Sequence, residues 1–142
     1  MYAIKNQLME SNSLGNFDYS RTISNEYILL NEKEILDFIK DIDEFIDLIN
    51  VSLDLFKKYF PKAKYYLALE EDYESSALDA LFVYIINKDG TFEENYNLSE
   101  IMLDDFIKLH KEFPLAWMKF DYIVEEDDEY YELWRKGIID NY

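Results

Sequence analysis

The stretch from Tyr65 to Ile86 constrains the fold of this 142-residue chain more than any other part of the sequence. Two runs of aromatic and branched apolar residues, Tyr-Tyr-Leu-Ala-Leu-Glu and Ala-Leu-Phe-Val-Tyr-Ile-Ile, flank an acidic loop at 70–78. Such runs are typical of β-strands, and the short connection predicts that the two strands pair. The second run is apolar on both faces, which predicts a central strand covered on both sides or a strand with one face in an interface.

Segments with helical periodicity lie on both sides of this strand pair. Apolar residues recur every three or four positions from 35 to 60, after a capping-box pattern of Asn31 and Glu34. One unbroken helix over 32–60 would be about 43 Å long at ~1.5 Å per residue. A domain of this size is only about 37 Å across. We therefore expect a break at 50–52, where Asn, Val and Ser are poor helix formers.

The second half of the chain continues the alternation of helices and strands. A helix is predicted to begin at Asn97, which repeats the capping-box spacing, and to end at Pro114. A strand over 115–124 and a last helix over 129–136 follow. If 26–30 is also a strand, the order β-α-β-β-α-β-α matches a ferredoxin-like fold with an added helix. Otherwise the prediction is a three-stranded α+β sandwich.

The predicted fold class is therefore α+β, a two-layer sandwich with a three- or four-stranded sheet. The length favours one domain. Residues 1–24 are poorly patterned, so we expect an N-terminal segment followed by a single α+β domain over 25–142.

The charge of the chain limits its partners. Acidic residues number 31 against 14 basic ones, for a net charge of −17. This charge repels phosphates, so direct nucleic-acid binding and contact with anionic membranes are disfavoured, and basic proteins or cations are the expected partners. The 18% aromatic content argues against disorder. The absence of cysteine excludes disulfides, zinc–thiolate sites and cysteine nucleophiles.

The sequence also predicts a location. The start of the chain lacks the apolar run of a signal peptide, and no stretch contains ~18 consecutive apolar residues. These features predict a cytoplasmic protein.

Two acidic clusters, Glu70–Glu74 and Glu125–Glu129, are candidate sites at the ends of predicted strands. Carboxylates in such clusters bind Mg²⁺ or Ca²⁺ in other proteins. The turn at 87–90 lacks the first acid and the closing Glu of an EF-hand loop, and no Lys follows an acid by two positions as in a nuclease core. Solvated acidic loops are the simpler interpretation, and we predict no metal or cofactor.

Histidine and lysine give weaker signals. His110 has no serine or cysteine motif around it, so helix-dipole stabilisation is the simpler interpretation. Four lysines at 57–64 suggest a phosphate or acidic-partner site, although lysine is also favoured at the end of a helix.

The aromatic C-terminal helix is the strongest candidate for an interface, because Tyr and Trp beside a polar rim often dominate binding. The alternative is that these rings only cap the sheet. The predicted interface residues are Tyr130, Tyr131, Trp134, Glu70, Glu71, Asp72, Glu125, Glu126, Asp127 and Asp128.

Three short motifs stand in and around the predicted strand pair: Phe60-Pro-x-Ala63, Leu67-Ala-Leu-Glu-Glu-Asp-Tyr-Glu74 and Leu81-Phe-Val-Tyr-Ile85. Together they resemble a group of small uncharacterised bacterial α+β proteins. The pattern of the group is F-P-x-A, L-E-V-x-x-D-P-E and L-x-V-x-I, and this chain has Ala68 and Tyr73 in place of its first Glu and its Pro. The resemblance implies a recurrent α+β module and no activity.

These observations predict a non-enzymatic protein-interaction module. Its expected form is an inhibitor or antitoxin-like partner that covers a basic protein. In this role the acidic chain imitates nucleic acid. One alternative is a metal-dependent hydrolase that uses both acidic clusters, and another is a small-molecule-sensing ferredoxin-like module. The second face of the sheet needs the C-terminal helix, a second copy or another partner to cover it, so we also expect a homodimer or a hetero-complex.

Overall fold

A computed structural model describes residues 22–139, so most of the predicted N-terminal segment lies outside the described residues. The element order confirms the predicted α+β class and the alternation of helices and strands. Single turns of 3-10 helix occur at Ser76–Leu78 and Trp117–Lys119. The elements are β1 (Tyr27–Leu29), α1 (Glu32–Ile39), α2 (Glu44–Tyr59), β2 (Lys64–Glu70), β3 (Ala80–Ile86), α3 (Phe92–Glu112), β4 (Phe120–Glu125) and α4 (Glu129–Arg135).

The four strands form one mixed sheet in the order β1-β2-β3-β4. β2 and β3 pair antiparallel, with Leu67 opposite Val83, and each has a parallel partner on its outer side. This order differs from the ferredoxin-like prediction, because that arrangement places another strand between two parallel strands joined by a helix. Here β1 and β2 are direct neighbours, as are β3 and β4.

Helices α1, α2 and α3 all pack on the same face of this sheet, which we call the first face. Both helical crossovers advance one strand in the same direction, but the second pair of strands runs antiparallel to the first. The two crossovers therefore have opposite hands, and one of them is left-handed, against the usual preference. With both connections on the first face, the opposite face is left to the C-terminal part of the chain.

The main core lies between the sheet and α1–α3. Inward side chains of the four strands alternate with those of the opposite face, as the two-residue period of a strand requires. The Tyr27 hydroxyl donates to the carbonyl of Ile49 at 2.7 Å and joins β1 to α2. The largest fully buried side chains of this core are Phe45, Phe56, Phe60, Ile35, Leu48, Ile49, Leu67, Leu81, Ile85 and Met102.

The second face of the sheet is covered by α4. Tyr66 and Ala68 of β2 and Tyr84 and Ile86 of β3 form a small buried cluster with Tyr131 of α4. The sequence left open whether the C-terminal helix, a second copy or another partner covers this face. In the structure α4 covers it. The predicted C-terminal stop is confirmed, because Gly137 has a φ of +77°, which suits glycine just after a helix.

Two predicted helix boundaries are wrong. The break between α1 and α2 lies at 40–43 and not at 50–52. The stretch stays helical because tertiary contacts of Asn50 outweigh its low helix propensity: the Asn50 side chain bonds to the backbone of Ser24 and of Thr22. Asn31 precedes α1 as predicted, but its side chain makes no cap bond and instead bonds both backbone groups of Leu69.

The start of α3 is the second wrong boundary. The helix begins at Phe92, five residues before the predicted Asn97. Its cap is a reciprocal box in which Glu94 N–H donates to Thr91 Oγ1 at 3.1 Å and Thr91 N–H donates to Glu94 at 2.9 Å. Likewise β4 begins at Phe120 and not at 115, since a 3-10 turn occupies Trp117–Lys119. None of the described helices is both long and apolar enough to cross a membrane.

Candidate interaction surface

The aromatic side chains of α4 pack on the sheet through ring contacts. Tyr131 lies 4.4 Å from Tyr84 and 5.7 Å from Tyr66, measured between ring centroids. Only 7% of Tyr131 is exposed, and Trp134 is half-buried against the same cluster. We call this region, made of Tyr66, Tyr84, Tyr131, Trp134 and Asp128, the α4 face.

A network of charged groups anchors the start of α4. Asp128 is 6% exposed and accepts bonds from Lys64 and Lys88, each at 2.9 Å. The Tyr66 hydroxyl is 2.9 Å from Asp128 and also contacts Glu132. Arg135 bonds Glu132 at 2.7 Å. Each of these carboxylates therefore has a cationic partner inside the fold.

The pKa values of these groups favour the same network. Burial alone would raise the pKa of Asp128, but bonds from Lys64, Lys88 and Tyr66 lower it well below its usual range. Bonds from Arg135 and Tyr66 lower the pKa of Glu132 to about 2. Burial and the two carboxylates raise the pKa of Tyr66 well above its usual value. At neutral pH the carboxylates are charged and the tyrosine is a neutral donor.

Two further tyrosine–carboxylate pairs flank this network. The Tyr84 hydroxyl donates to Glu70, and burial together with this carboxylate raises the pKa of Tyr84. Burial and a bond to Glu125 raise the pKa of Tyr131 in the same way. Glu70 and Glu125 are thus engaged within the fold.

The predicted interface residues fall into three classes of burial. Tyr131 and Asp128 are buried, so they support α4 and present little surface. Trp134, Glu70 and Glu125 are half-buried in the same region. Asp72 is exposed but organises its own loop, accepting the amides of Glu74 and Ser75. The remaining predicted residues, Tyr130, Glu71, Glu126 and Asp127, are exposed.

The backbones of the two acidic clusters lie at opposite ends of β3, although the carboxylates of Glu70 and Glu125 both act on the hydroxyls of Tyr84 and Tyr131. Glu70 lies opposite Ala80 at the start of β3, whereas Glu125 lies opposite Ile86 at its end. Six strand residues separate these levels, roughly 20 Å at ~3.3 Å each. Within residues 22–139, no group of three or more His, Asp or Glu side chains is arranged to hold a metal ion. The hydrolase hypothesis, which required carboxylates of both clusters to share an ion, stays a prediction.

The other sequence candidates serve ordinary structural roles. His110 is exposed, with its ring 4.9 Å from that of Trp117. Lys57 pairs with Glu26 at 2.8 Å, and Lys64 belongs to the Asp128 network. Neither the histidine nor the lysine segment forms a recognisable site.

A different region combines exposed rings with carboxylates. A groove of about 620 Å³ lies between the first half of α3 and β4, which is an edge strand of the sheet. We call it the α3–β4 groove. Its lining residues are Phe92, Asn95, Tyr96, Ser99 and Glu100 from α3, and Tyr122, Ile123, Val124, Glu125, Glu126 and Asp127 from β4 and the following loop.

Three apolar side chains that line the groove are exposed. Phe92 is 75% exposed, Tyr96 55% and Ile123 40%. The rings of Phe92 and Tyr96 lie one helical turn apart and stack at 6.4 Å with an interplanar angle of 22°. Exposed apolar surface with a polar rim is typical of interaction sites.

The rim of the groove is acidic. Glu100, Glu126 and Asp127 are exposed there, and Glu125 is half-buried. Among the described residues that line it, none is a lysine, arginine or histidine. This arrangement attracts positive charge next to an aromatic pair.

Sequence reasoning missed this groove because it placed the start of the helix at Asn97. Thr91 and Glu94 have the same capping-box spacing, T-x-x-E, and would have placed the start of the helix correctly. Phe92 and Tyr96 would then have appeared four residues apart, on one side of a helix.

Comparison with known proteins adds no homologue: no protein family, curated protein or solved structure matches the chain. The resemblance to small bacterial α+β proteins therefore stays a prediction.

Proposed function

We propose that this chain is a non-enzymatic cytoplasmic protein that binds a basic protein. The observation that carries the proposal is the α3–β4 groove, where exposed aromatic rings stand among carboxylates that no lysine or arginine of the lining neutralises. The net charge of −17 supports it, since acidic surfaces accelerate encounter with basic partners. The expected role is an inhibitor or antitoxin-like partner that covers a surface otherwise used for nucleic acid.

The network of the α4 face supports the same proposal by contrast with the groove. There the carboxylates of Asp128 and Glu132 are held by Lys64, Lys88 and Arg135, so their charge contributes to folding. On the rim of the groove, Glu125 bonds Tyr131 and Asp127 accepts the Glu129 amide, whereas Glu100 and Glu126 are exposed and can act on a partner. The homodimer and small-molecule hypotheses stay predictions, and no contact of the described chain favours them over a basic protein.

The test is salt-dependent capture followed by reconstitution. The full chain is immobilised and exposed to host extract at about 0.05 M and about 0.5 M salt, which change the Debye length severalfold. We expect a basic protein to bind at low salt, to release at high salt, and to re-form the complex when purified.

An unstructured polyglutamate of comparable charge is the matched control. The purified partner should prefer the folded chain by at least about tenfold, because shape and apolar contacts add to charge. Equal binding to polyglutamate, or no basic protein bound at low salt, would contradict the proposal.

A further inference from the structure

We infer that the α3–β4 groove binds an arginine-bearing segment of the partner, with a guanidinium group stacked on the Phe92–Tyr96 pair and bonded to carboxylates of the rim. This inference rests on the proposed function and names the place and the chemistry of the contact. It commits the groove to one occupant, a positively charged segment of another protein.

The aromatic pair provides the stacking platform. Phe92 and Tyr96 are held at a fixed separation by the first turns of α3, which the Thr91–Glu94 box caps. The two rings are within 22° of parallel, and both residues line the groove. A guanidinium group placed over such a face gains a cation–π interaction, and arginine makes these contacts more often than lysine.

The carboxylates provide the second half of the recognition. Glu100 lies four residues after Tyr96 on α3, so both project from the same side of the helix. Glu126 and Asp127 close the opposite wall. A planar guanidinium bonds a carboxylate through two parallel N–H groups while its face remains available for stacking, which a lysine ammonium does not match.

The edge of β4 favours side-chain contacts over addition of a strand. Asn87 N–H donates to the carbonyl of Glu125, so Glu125 and alternate residues of β4 bond to β3. The backbone of Tyr122 then points to the open edge, where its N–H donates at 2.8 Å to the carboxylate of Asp121. This amide already has a partner, so a peptide strand pairing along β4 would have to displace it.

A competing acidic hollow at the start of α2 lacks these features. It is lined by Asp41, Asp43, Glu44 and Asp47 but by no aromatic ring. Glu44 is also occupied, since it accepts the amides of Leu115 and Ala116 at 2.7 and 2.8 Å. The groove is therefore the better match for arginine.

The experiment titrates an Arg-Gly-Arg-Gly-Arg peptide into the full ¹⁵N-labelled chain and follows amide chemical shifts by NMR. We expect the largest changes at Phe92, Tyr96 and the segment 124–127. The matched Lys-Gly-Lys-Gly-Lys peptide should bind more weakly, because it loses the stacking contact.

Two variants test the aromatic pair. Tyr96→Ala should weaken binding of the arginine peptide about three- to tenfold, the range of a cation–π contact, while Tyr96→Phe retains it. Tyr73→Ala is the matched control, since Tyr73 is also exposed and stands in the other acidic cluster. It should change the affinity less than about twofold. Dispersed amide spectra show whether each variant is folded.

The outcomes separate the inference from the proposed function. Shifts that cluster in the hollow at 41–47 or in the loop at 71–74, or equal losses in Tyr73→Ala and Tyr96→Ala, overturn the inference. If the host partner still binds the chain more tightly than polyglutamate, the proposed function stands without it. If the arginine peptide does not bind the chain, and no host protein binds the chain more tightly than polyglutamate, the inference and the proposed function both fail.

Discussion

The α4 face and the α3–β4 groove contain the same two kinds of side chain, aromatic rings and carboxylates, in opposite conditions. On the α4 face, Tyr131 is 7% exposed and Asp128 bonds two lysines. In the groove, Tyr96 is 55% exposed and the lining within the described chain contains no cation. Because the two regions share their composition, burial and charge pairing distinguish the region that stabilises the fold from the region that we propose binds a partner.

The first test compares one aromatic residue from each region. Tyr131→Ala should lower the free energy of unfolding by about 3 kcal/mol or more, because it removes a buried ring that packs on Tyr66 and Tyr84. Tyr96→Ala should change the unfolding free energy by no more than about 0.5 kcal/mol, because Tyr96 is exposed. Urea denaturation measures both. Similar losses in the two variants would mean that the regions do not differ in the way described.

The second test compares neighbouring carboxylates with the same change of charge. Asp128→Asn should lower the unfolding free energy by about 2 kcal/mol, because Lys64 and Lys88 lose a buried ionic partner, a loss moderated by their half-exposed ammonium groups. Asp127→Asn should stay within about 0.5 kcal/mol, since asparagine can still accept the Glu129 amide that Asp127 accepts now. Equal effects would show that total charge, and not ion pairing, sets how much each carboxylate contributes to the free energy of unfolding.

Much of the fold follows from sequence pattern. Alternating and aromatic runs predict β2 and β3 and the pairing of these two strands, and Gly137 marks the end of α4. The break before α2 does not follow, because tertiary bonds from Asn50 keep a weak helical stretch intact. Strand order does not follow either, since it depends on which strands meet across long connections.

The site was harder to predict than the fold. Periodicity identifies the rings of α4 as a group but does not show that Tyr131 faces the sheet, which depends on the direction of α4 across Tyr66 and Tyr84. The groove depends on one helix start at Thr91 and on β4 lying at the sheet edge. Only the first of these was readable in the sequence.

The third test uses acid, which should release α4 before the rest of the chain unfolds. The pKa of Glu132 is lowered to about 2 in the fold, and that of Asp128 is lowered too. Their stabilisation is therefore present above the unfolded pKa values near ~4 and is lost as pH falls from about 4 to about 2. Protonation removes the charge that holds Lys64, Lys88 and Arg135.

Trp134 reports this release, because it packs against the α4-face cluster. Its fluorescence is measured in a Trp117→Phe background, so that one tryptophan remains. We expect the emission of Trp134 to shift to the red between about pH 4 and about pH 2. The shift should be smaller in the Asp128→Asn variant, which lacks one titrating group. A signal unchanged over this interval would contradict the role of the network.

The most direct test of the central contrast is the rate at which each tyrosine is nitrated in the folded full chain, read by mass spectrometry of its peptides. With tetranitromethane as the reagent, nitration requires solvent contact and proceeds through the phenolate, so Tyr96 should react fast. Tyr66, Tyr84 and Tyr131 should be protected, because they are buried and their pKa values are raised. Addition of the basic partner should then slow the nitration of Tyr96 and leave the nitration rates of Tyr66, Tyr84 and Tyr131 unchanged. Comparable nitration of Tyr131 and Tyr96 in the free chain would show that α4 does not close its face of the sheet, and would contradict the account.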